Sequence, residues 1–108
     1  MSLRNRVTLL GRTGNDVEVF KFENGGTKAS VSLATNDTYY NEQGERIDET
    51  QWHNVIAFGK QAEILEKFVV KGQEIALEGK VCYRNYQNAE GKKIYITEIR
   101  VSDVVLIS

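Results

Sequence analysis

His53 and Cys82 are the chain's single histidine and single cysteine. They stand far apart in sequence and make a weak case for a nucleophile with its base, or for a metal centre. One cysteine excludes a disulfide framework and a multi-cysteine metal site within one chain. Val81 and Tyr83 flank Cys82 as strand formers, which reads as a plain structural thiol. The acids Asp48 and Glu49 are neighbours in a polar stretch, and Glu63 and Glu66 read as the solvated side of a helix. Gly25-Gly26 lacks the Lys-Ser/Thr and the strand-to-helix setting of a phosphate-cradling loop. No catalytic residue, metal or cofactor is expected, and the chain reads as a non-enzyme. The remaining chemistry is non-covalent, carried by aromatic rings and cations.

Trp52, Asn54, Ile56 and Phe58 alternate with His53, Val55 and Ala57. In a strand the first set shares one face and the second set the other. A polar Asn54 between two rings argues against a wholly buried face. Rings on an outer face make a platform for nucleic-acid bases, at about 1–3 kcal/mol per stacked base. Periodicity alone leaves core and platform both open, because aromatics are usually buried. Tyr39 and Tyr40 open a long polar loop that ends near Asp48, and Tyr86 precedes a turn at Asn88-Ala89-Glu90-Gly91. These could pack back on their own domain or wall a groove. Lys60, Lys71, Arg84, Lys92, Lys93 and the amino-terminal Arg4, Arg6 and Arg12 could contact phosphates, although each alone reads as ordinary surface charge.

The elements that must hold these side chains are mostly strands. Val7-Leu10, Ala29-Leu33, Gln51-Phe58, an inward row of Ile75, Leu77, Val81 and Tyr83 with Gly79, and the β-branched run from Ile94 through Ile107 all read as extended. Glycines punctuate them. Gly11 and Gly14 flank one turn, Asn24-Gly25-Gly26 is a hairpin signal, and Gly59 and Gly72 bracket the exception. That exception is Lys60–Val70, where Ala62, Leu65 and Val69 fall at helical spacing, as do Ile64 and Phe68, with Gly72 as C-cap. The order β-β-β-α-β-β predicts an all-β domain over residues 1–108: a five-stranded OB-fold barrel with one short helix between strands 3 and 4. An SH3-like barrel or a small sandwich also fits a run of short strands.

At 108 residues, 41% hydrophobic and 27% charged, the chain reads as one globular domain. It has no apolar run long enough to span a bilayer and no signal-peptide pattern before Arg4, so a cytoplasmic, non-membrane protein is expected. The net charge of −1 and pI near 5.8 argue mildly against nucleic acid, whose binders are usually basic. Distribution matters more than the sum. Residues 1–12 hold three arginines and no acid, whereas residues 37–50 hold five acids against Arg46.

The ordered blocks of the sequence resemble bacterial single-stranded-DNA-binding proteins. Asn5-Arg6-Val7-Thr8-Leu9-Leu10-Gly11-Arg12 matches their opening strand, and Asn24-Gly25-Gly26 with Ser32-Leu33-Ala34-Thr35 their first hairpin and second strand. Thr50-Gln51-Trp52-His53-Asn54-Val55 with Ala57-Phe58-Gly59-Lys60-Gln61-Ala62-Glu63 is the most specific block. Lys71-Gly72, Leu77-Glu78-Gly79 and Tyr95-Ile96-Thr97-Glu98 continue in order. The resemblance covers nearly the whole chain. It implies an OB-fold, a homotetramer built as a dimer of dimers, and sequence-nonspecific binding and protection of single-stranded DNA in replication, recombination and repair, at the nucleoid. It places Trp52, Phe58, Tyr39 and Tyr86 on base-stacking positions, the two tyrosines where well-known members carry Trp. It places Lys60 and Lys71 on basic positions near the DNA, and Arg84 and Arg4 complete the expected phosphate contacts. Asn54 and Asn85 stand where some members are basic, and Val17 where a proline is common. Members typically carry a flexible linker and an acidic tip that recruits partner enzymes. This chain stops at Ile107-Ser108, so recruitment through such a tip is not expected of it. The alternatives are an OB-fold protein-interaction or accessory module, favoured by the acidic stretch, and an RNA-binding OB domain.

Overall fold

A computed structural model describes residues 4–107; Met1, Ser2, Leu3 and Ser108 lie outside the described residues. The chain forms β1 (Val7–Thr13), β2 (Glu18–Lys21), β3 (Thr27–Tyr40), β4 (Arg46–Phe58), α1 (Lys60–Phe68), β5 (Glu74–Gln87) and β6 (Lys93–Leu106). β1 runs antiparallel to β5 from Val7↔Gly79 to Arg12↔Glu74, then pairs its last residues with β3 as Arg12↔Ala34 and Thr13↔Leu33. β2 takes over along β3 from Glu18↔Ser30 to Lys21↔Thr27. β1 and β2 are therefore two legs of one bent strand. In the bend, the Gly14 amide donates to the Ser32 carbonyl (2.9 Å) while Asn15 Oδ1 accepts from the Ser32 amide (2.9 Å). Counted that way, the expected five strands and single helix stand. The ring runs β1-β5-β6-β4-β3 and back to β1, with β4 and β6 parallel at Val55↔Ile99 and Ile56↔Arg100. This is the OB-fold barrel.

Alternation inside the ring is regular. Ala29, Val31 and Leu33 of β3, Val55 and Ala57 of β4, Ile75 and Leu77 of β5, and Ile99 and Val101 of β6 point inward and are buried. α1 covers the barrel with Ala62 and Leu65, each fully buried, and packs against β2, β3, β4 and β6. The helix is shorter than its pattern. Val69 turns extended at φ −111°, ψ 129°, which carries its side chain into the core, and Gly72 belongs to the following turn instead of capping the helix. Phe68, at helical spacing from Ile64, is 58% exposed because that second stripe faces outward.

Three expectations change. Gly11 does not flank a turn. It lies inside β1, where a Cβ would collide with the Ala34 carbonyl oxygen across the seam. Tyr83 keeps the inward parity of Ile75 and Leu77, yet is 79% exposed, because β5 runs on past the end of the barrel. The long polar loop after Tyr39 is instead a two-stranded arm. β3 and β4 stay in register out to Tyr40↔Arg46 and close through the turn Asn41–Glu45. There Asn41 Oδ1 accepts the amides of Gln43 and Glu45, and Asn88 Oδ1 likewise accepts those of Glu90 and Lys92 at the tip of the β5–β6 arm. Both faces of an arm are wet, so its strands lack the apolar alternation that marks a half-buried one. The arms raise the radius of gyration to 16.0 Å, against roughly 13 Å for a compact chain of this size. No helix among the described residues is long and apolar enough to cross a membrane.

Gly11→Ala should cost about 1–3 kcal/mol, since its methyl meets backbone that cannot yield without opening the seam. Urea or thermal melts followed by circular dichroism check this, and an unchanged midpoint would mean that the seam tolerates a side chain.

Candidate nucleic-acid interface

Cross-strand register sorts the aromatics. Residues directly opposite in an antiparallel pair share a face, and steps of two keep it. Trp52, Asn54, Ile56 and Phe58 of β4 therefore lie on the outer face with Ala34, Ser32, Ser30 and Lys28 of β3. Trp52 is 62% exposed and so is not a core residue. Its ring lies over Gly14, where a Cβ would overlap the benzene edge of the indole. The glycine in the β1–β2 bend thus serves as a floor for the ring. Phe58 is half-buried, and the Arg100 guanidinium of β6 stands 4.6 Å from its ring centroid as a cation–π contact. Ile56 is buried although it faces outward.

On the other arm, Arg84 and Tyr86 of β5 share their face with Ile96, Ile94 and Glu98 of β6. Arg84 Nε donates to Glu98 Oε1 at 2.8 Å and a terminal nitrogen reaches Oε2 at 3.4 Å. The Glu98 side chain is 8% exposed and that of Arg84 is 50% exposed. The hydrogen bond and charge of Glu98 hold the Arg84 pKa above its ordinary value, so the guanidinium stays charged throughout the working range. Arg84 consequently has a protein carboxylate as its first partner, and its exposed half faces solvent. Tyr86 is 47% exposed.

A trough joins the two arms. One hollow of 320 Å³ is lined by Ser30, Ser32, Asn54, Ile56, Arg84 and Glu98, among others. A second of 320 Å³, lined by Trp52, His53, Tyr95 and Thr97, shares Asn54 and Ile96 with it. Strands β4 and β6 pair only at Val55↔Ile99 and Ile56↔Arg100, so beyond those pairs they part and leave this space. Trp52 and Arg84 thereby border one concave surface, with Phe58 on the Trp52 face of β4 and Tyr86 on the Arg84 face of β5.

Tyr39 is not on the Trp52 face. It pairs with Ile47, five residues from Trp52 along an unbroken register, and so faces the opposite side of the arm; Tyr40, 70% exposed, takes the Trp52 side. Lys60 opens α1, two residues beyond Phe58, and is exposed. Lys71 is exposed and its amide donates to Asp16 Oδ1 at 3.2 Å, beside the bend that carries Gly14. Arg4 is exposed and precedes Asn5, whose side-chain amide is clasped in both directions by the Val81 backbone at 2.9 Å. Sequence reasoning missed Arg100, Tyr95 and the role of Gly14. The outward parity of Arg100 with Glu98 was readable, but the parallel closure that sets it on Phe58 was not. Among the described residues no group of three or more His, Cys, Asp or Glu is placed to hold a metal ion.

The sequence model of the Single-strand binding protein family matches residues 4–107. A single-stranded DNA-binding protein of Bacteroides thetaiotaomicron is 42% identical over 106 residues, covering 96% of this chain and 66% of that protein. Single-stranded DNA-binding protein 1 of Staphylococcus aureus is 42% identical over 95 residues, covering 88% of this chain and 60% of that one. The chain thus spans under two thirds of the length of these relatives. Among solved structures, a Plasmodium falciparum SSB complex with ssDNA superposes with a TM-score of 0.90 at 24% identity, covering 100% of this chain and 98% of that one. A deletion mutant of the single-stranded DNA binding protein from Thermus aquaticus gives 0.85 at 26% identity, covering 96% and 50%.

Gly14→Ala should leave the barrel folded and displace the indole. Because Trp52 is the sole tryptophan, the check is direct: its emission spectrum should shift while the far-ultraviolet dichroism does not. An unchanged spectrum would mean that the ring does not pack on residue 14.

Proposed function

Because the chain belongs to the single-strand binding protein family, we propose that it binds and protects single-stranded DNA without sequence preference, as replication, recombination and repair require. The family is non-catalytic. The observation that carries the reading is the trough between the two arms, bordered by Trp52 and Arg84, with Phe58 and Tyr86 further along the same two strand faces. An exposed strand offers unpaired bases that duplex DNA hides. Flat rings accept any base because every base has a π-face, and this gives binding without sequence readout. Trp52 and Phe58 are the main stacking rings, and Tyr86 extends their track. Tyr39 stacks from the far side of the β3–β4 arm, which requires the strand to pass around that arm. Arg84, Lys60, Lys71 and Arg4 meet phosphates, with Arg84 sharing its charge between Glu98 and the strand.

A pI of 5.8 does not oppose this reading. Acids gather on the β3–β4 arm, at Asp37, Asp48 and Glu49, while along the trough Arg84 is paired with Glu98 and Glu18 also lines the hollow; stacking on rings needs no net positive charge. The chain is further proposed to work in the cytoplasm at the nucleoid, as a homotetramer. Supporting assembly, Leu10, Ala76 and Val105 form a transverse row across β1, β5 and β6, with Leu10 58% and Val105 55% exposed. A second copy would remove that row from water.

Oligo-dT should quench Trp52 emission, and binding should weaken as salt rises. Trp52→Ala should lose about 1–3 kcal/mol of binding free energy. Unchanged emission and anisotropy at low salt would refute the function; preference for duplex or RNA competitors would reassign it. Sedimentation mass checks assembly, and Leu10→Glu should lower it.

A further inference from the structure

The outer face continues past Phe58 to the edge of the sheet. Phe20 of β2 stands opposite Lys28 of β3, and Lys28 stands opposite Phe58 of β4. With Arg100 over Phe58, one transverse row reads Phe20, Lys28, Phe58, Arg100, alternating ring and cation. The row beside it, Val19, Ala29 and Ala57, points inward, and Ala29 and Ala57 are fully buried, which fixes the direction of the first. Phe20 is 59% exposed and Phe22 39%; their rings meet edge to face at 5.0 Å and 64°. Such a pair holds each ring's orientation while leaving the outer π-face of Phe20 open. Lys21, on the alternate side of β2, bonds Glu66 of α1 at 3.3 Å and ties this edge strand to the helix.

A hollow of 420 Å³ lies here, lined by Glu18, Val19, Phe20, Phe22, Lys28 and Ser30. Glu18 and Ser30 also line the central hollow that holds Asn54 and Arg84. The concave surface is therefore continuous from Trp52 to Phe22.

We infer that the Phe20–Phe22 hollow is a further base-stacking station on the single-strand track, with Lys28 binding the phosphate between the bases on Phe20 and Phe58. The inference rests on the proposed single-strand binding and extends it across β2. Phe20 and Phe58 are two strand spacings apart, roughly 10 Å, which a stretched dinucleotide spans. The carboxylate of Glu18 repels a phosphate placed beside it, so the base, not the backbone, enters the hollow. Lys28, between the two rings, is the cation positioned for the intervening phosphate.

The test is a titration of the parent chain, Phe20→Ala and Trp52→Ala with long oligo-dT, each first confirmed as folded by thermal melting. Phe20→Ala should bind at least about fivefold more weakly. Lys28→Gln should reduce the slope of log affinity against log salt by about 0.7, one phosphate's worth for a single strand. A tryptophan reporter, Phe20→Trp with Trp52→Phe, should be quenched on binding. If Phe20→Ala binds as the parent does while Trp52→Ala is weakened, the station is refuted and the binding function stands. If Phe20→Ala changes only the sedimentation mass, the hollow is a protein contact and the inference is refuted. If the parent itself fails to bind, both readings fall together, and that titration identifies the case.

Discussion

Bending a five-stranded sheet into a closed ring forces some strands to exchange partners along their length, and the trough depends on where those exchanges occur. β1 leaves β5 for β3 at Arg12 and Thr13, immediately after the residue that has no side chain to keep the strands apart. β4 meets β6 over Val55↔Ile99 and Ile56↔Arg100 and then diverges. With so short a closure, the rest of β3–β4 and β5–β6 projects as two arms beyond the core. The space between them is the concave surface. A longer parallel seam would have zipped it shut.

The same closure organises the charges. Arg100 reaches Phe58 only because parallel pairing brings β6 beside β4. Glu98, two residues earlier on the same face, ties down Arg84 on β5. One positive group thus overlies a ring, while another is shared with a nearly buried carboxylate. In a slightly acidic chain such local placements matter more than the sum of charges, because these interactions act over a few ångströms and the overall charge is screened beyond about 10 Å at ordinary salt. A third of the acids sit on one arm whose faces are both in water, where they cost little.

Rigidity and openness are divided between the ring and its arms. In the ring, buried β-branched and leucine side chains and the helix residues Ala62 and Leu65 set one register. Along the arms, hydrogen-bonded pairs such as Thr38 with Asp48 and Thr50 with Asn36 supplement the ladder without a core beneath it. Regions with few buried apolar contacts open at lower free energy than the core they extend from. The arms are therefore the segments that open most easily, while Trp52 packs on Gly14 in the bend beside the barrel.

Much of this was legible in the residues. Strand alternation placed Trp52 and Phe58 together on one face and Val55 and Ala57 on the other, without saying which was inside, because a two-residue period is a local property of extended chain. Helical spacing found α1 within two residues of its end, missing that Val69 turns back into the core and that Gly72 belongs to the next turn. Ordered blocks indicated the family. The arms were not legible: a strand wet on both faces carries no apolar period, so residues 37–50 read as loop. Nor was Gly11, whose lack of a side chain matters only against Ala34 across the seam, nor the separation of Tyr39 from Trp52, which needs the register of β3 against β4. The sequence by itself determined the run of strands, the helix and which residues of β4 share a face, since these follow from local periodicity. Only the tertiary structure decided which rings share a surface and which cations join them, since contacts between Phe58 and Arg100, or Trp52 and Gly14, exist only once the barrel has closed.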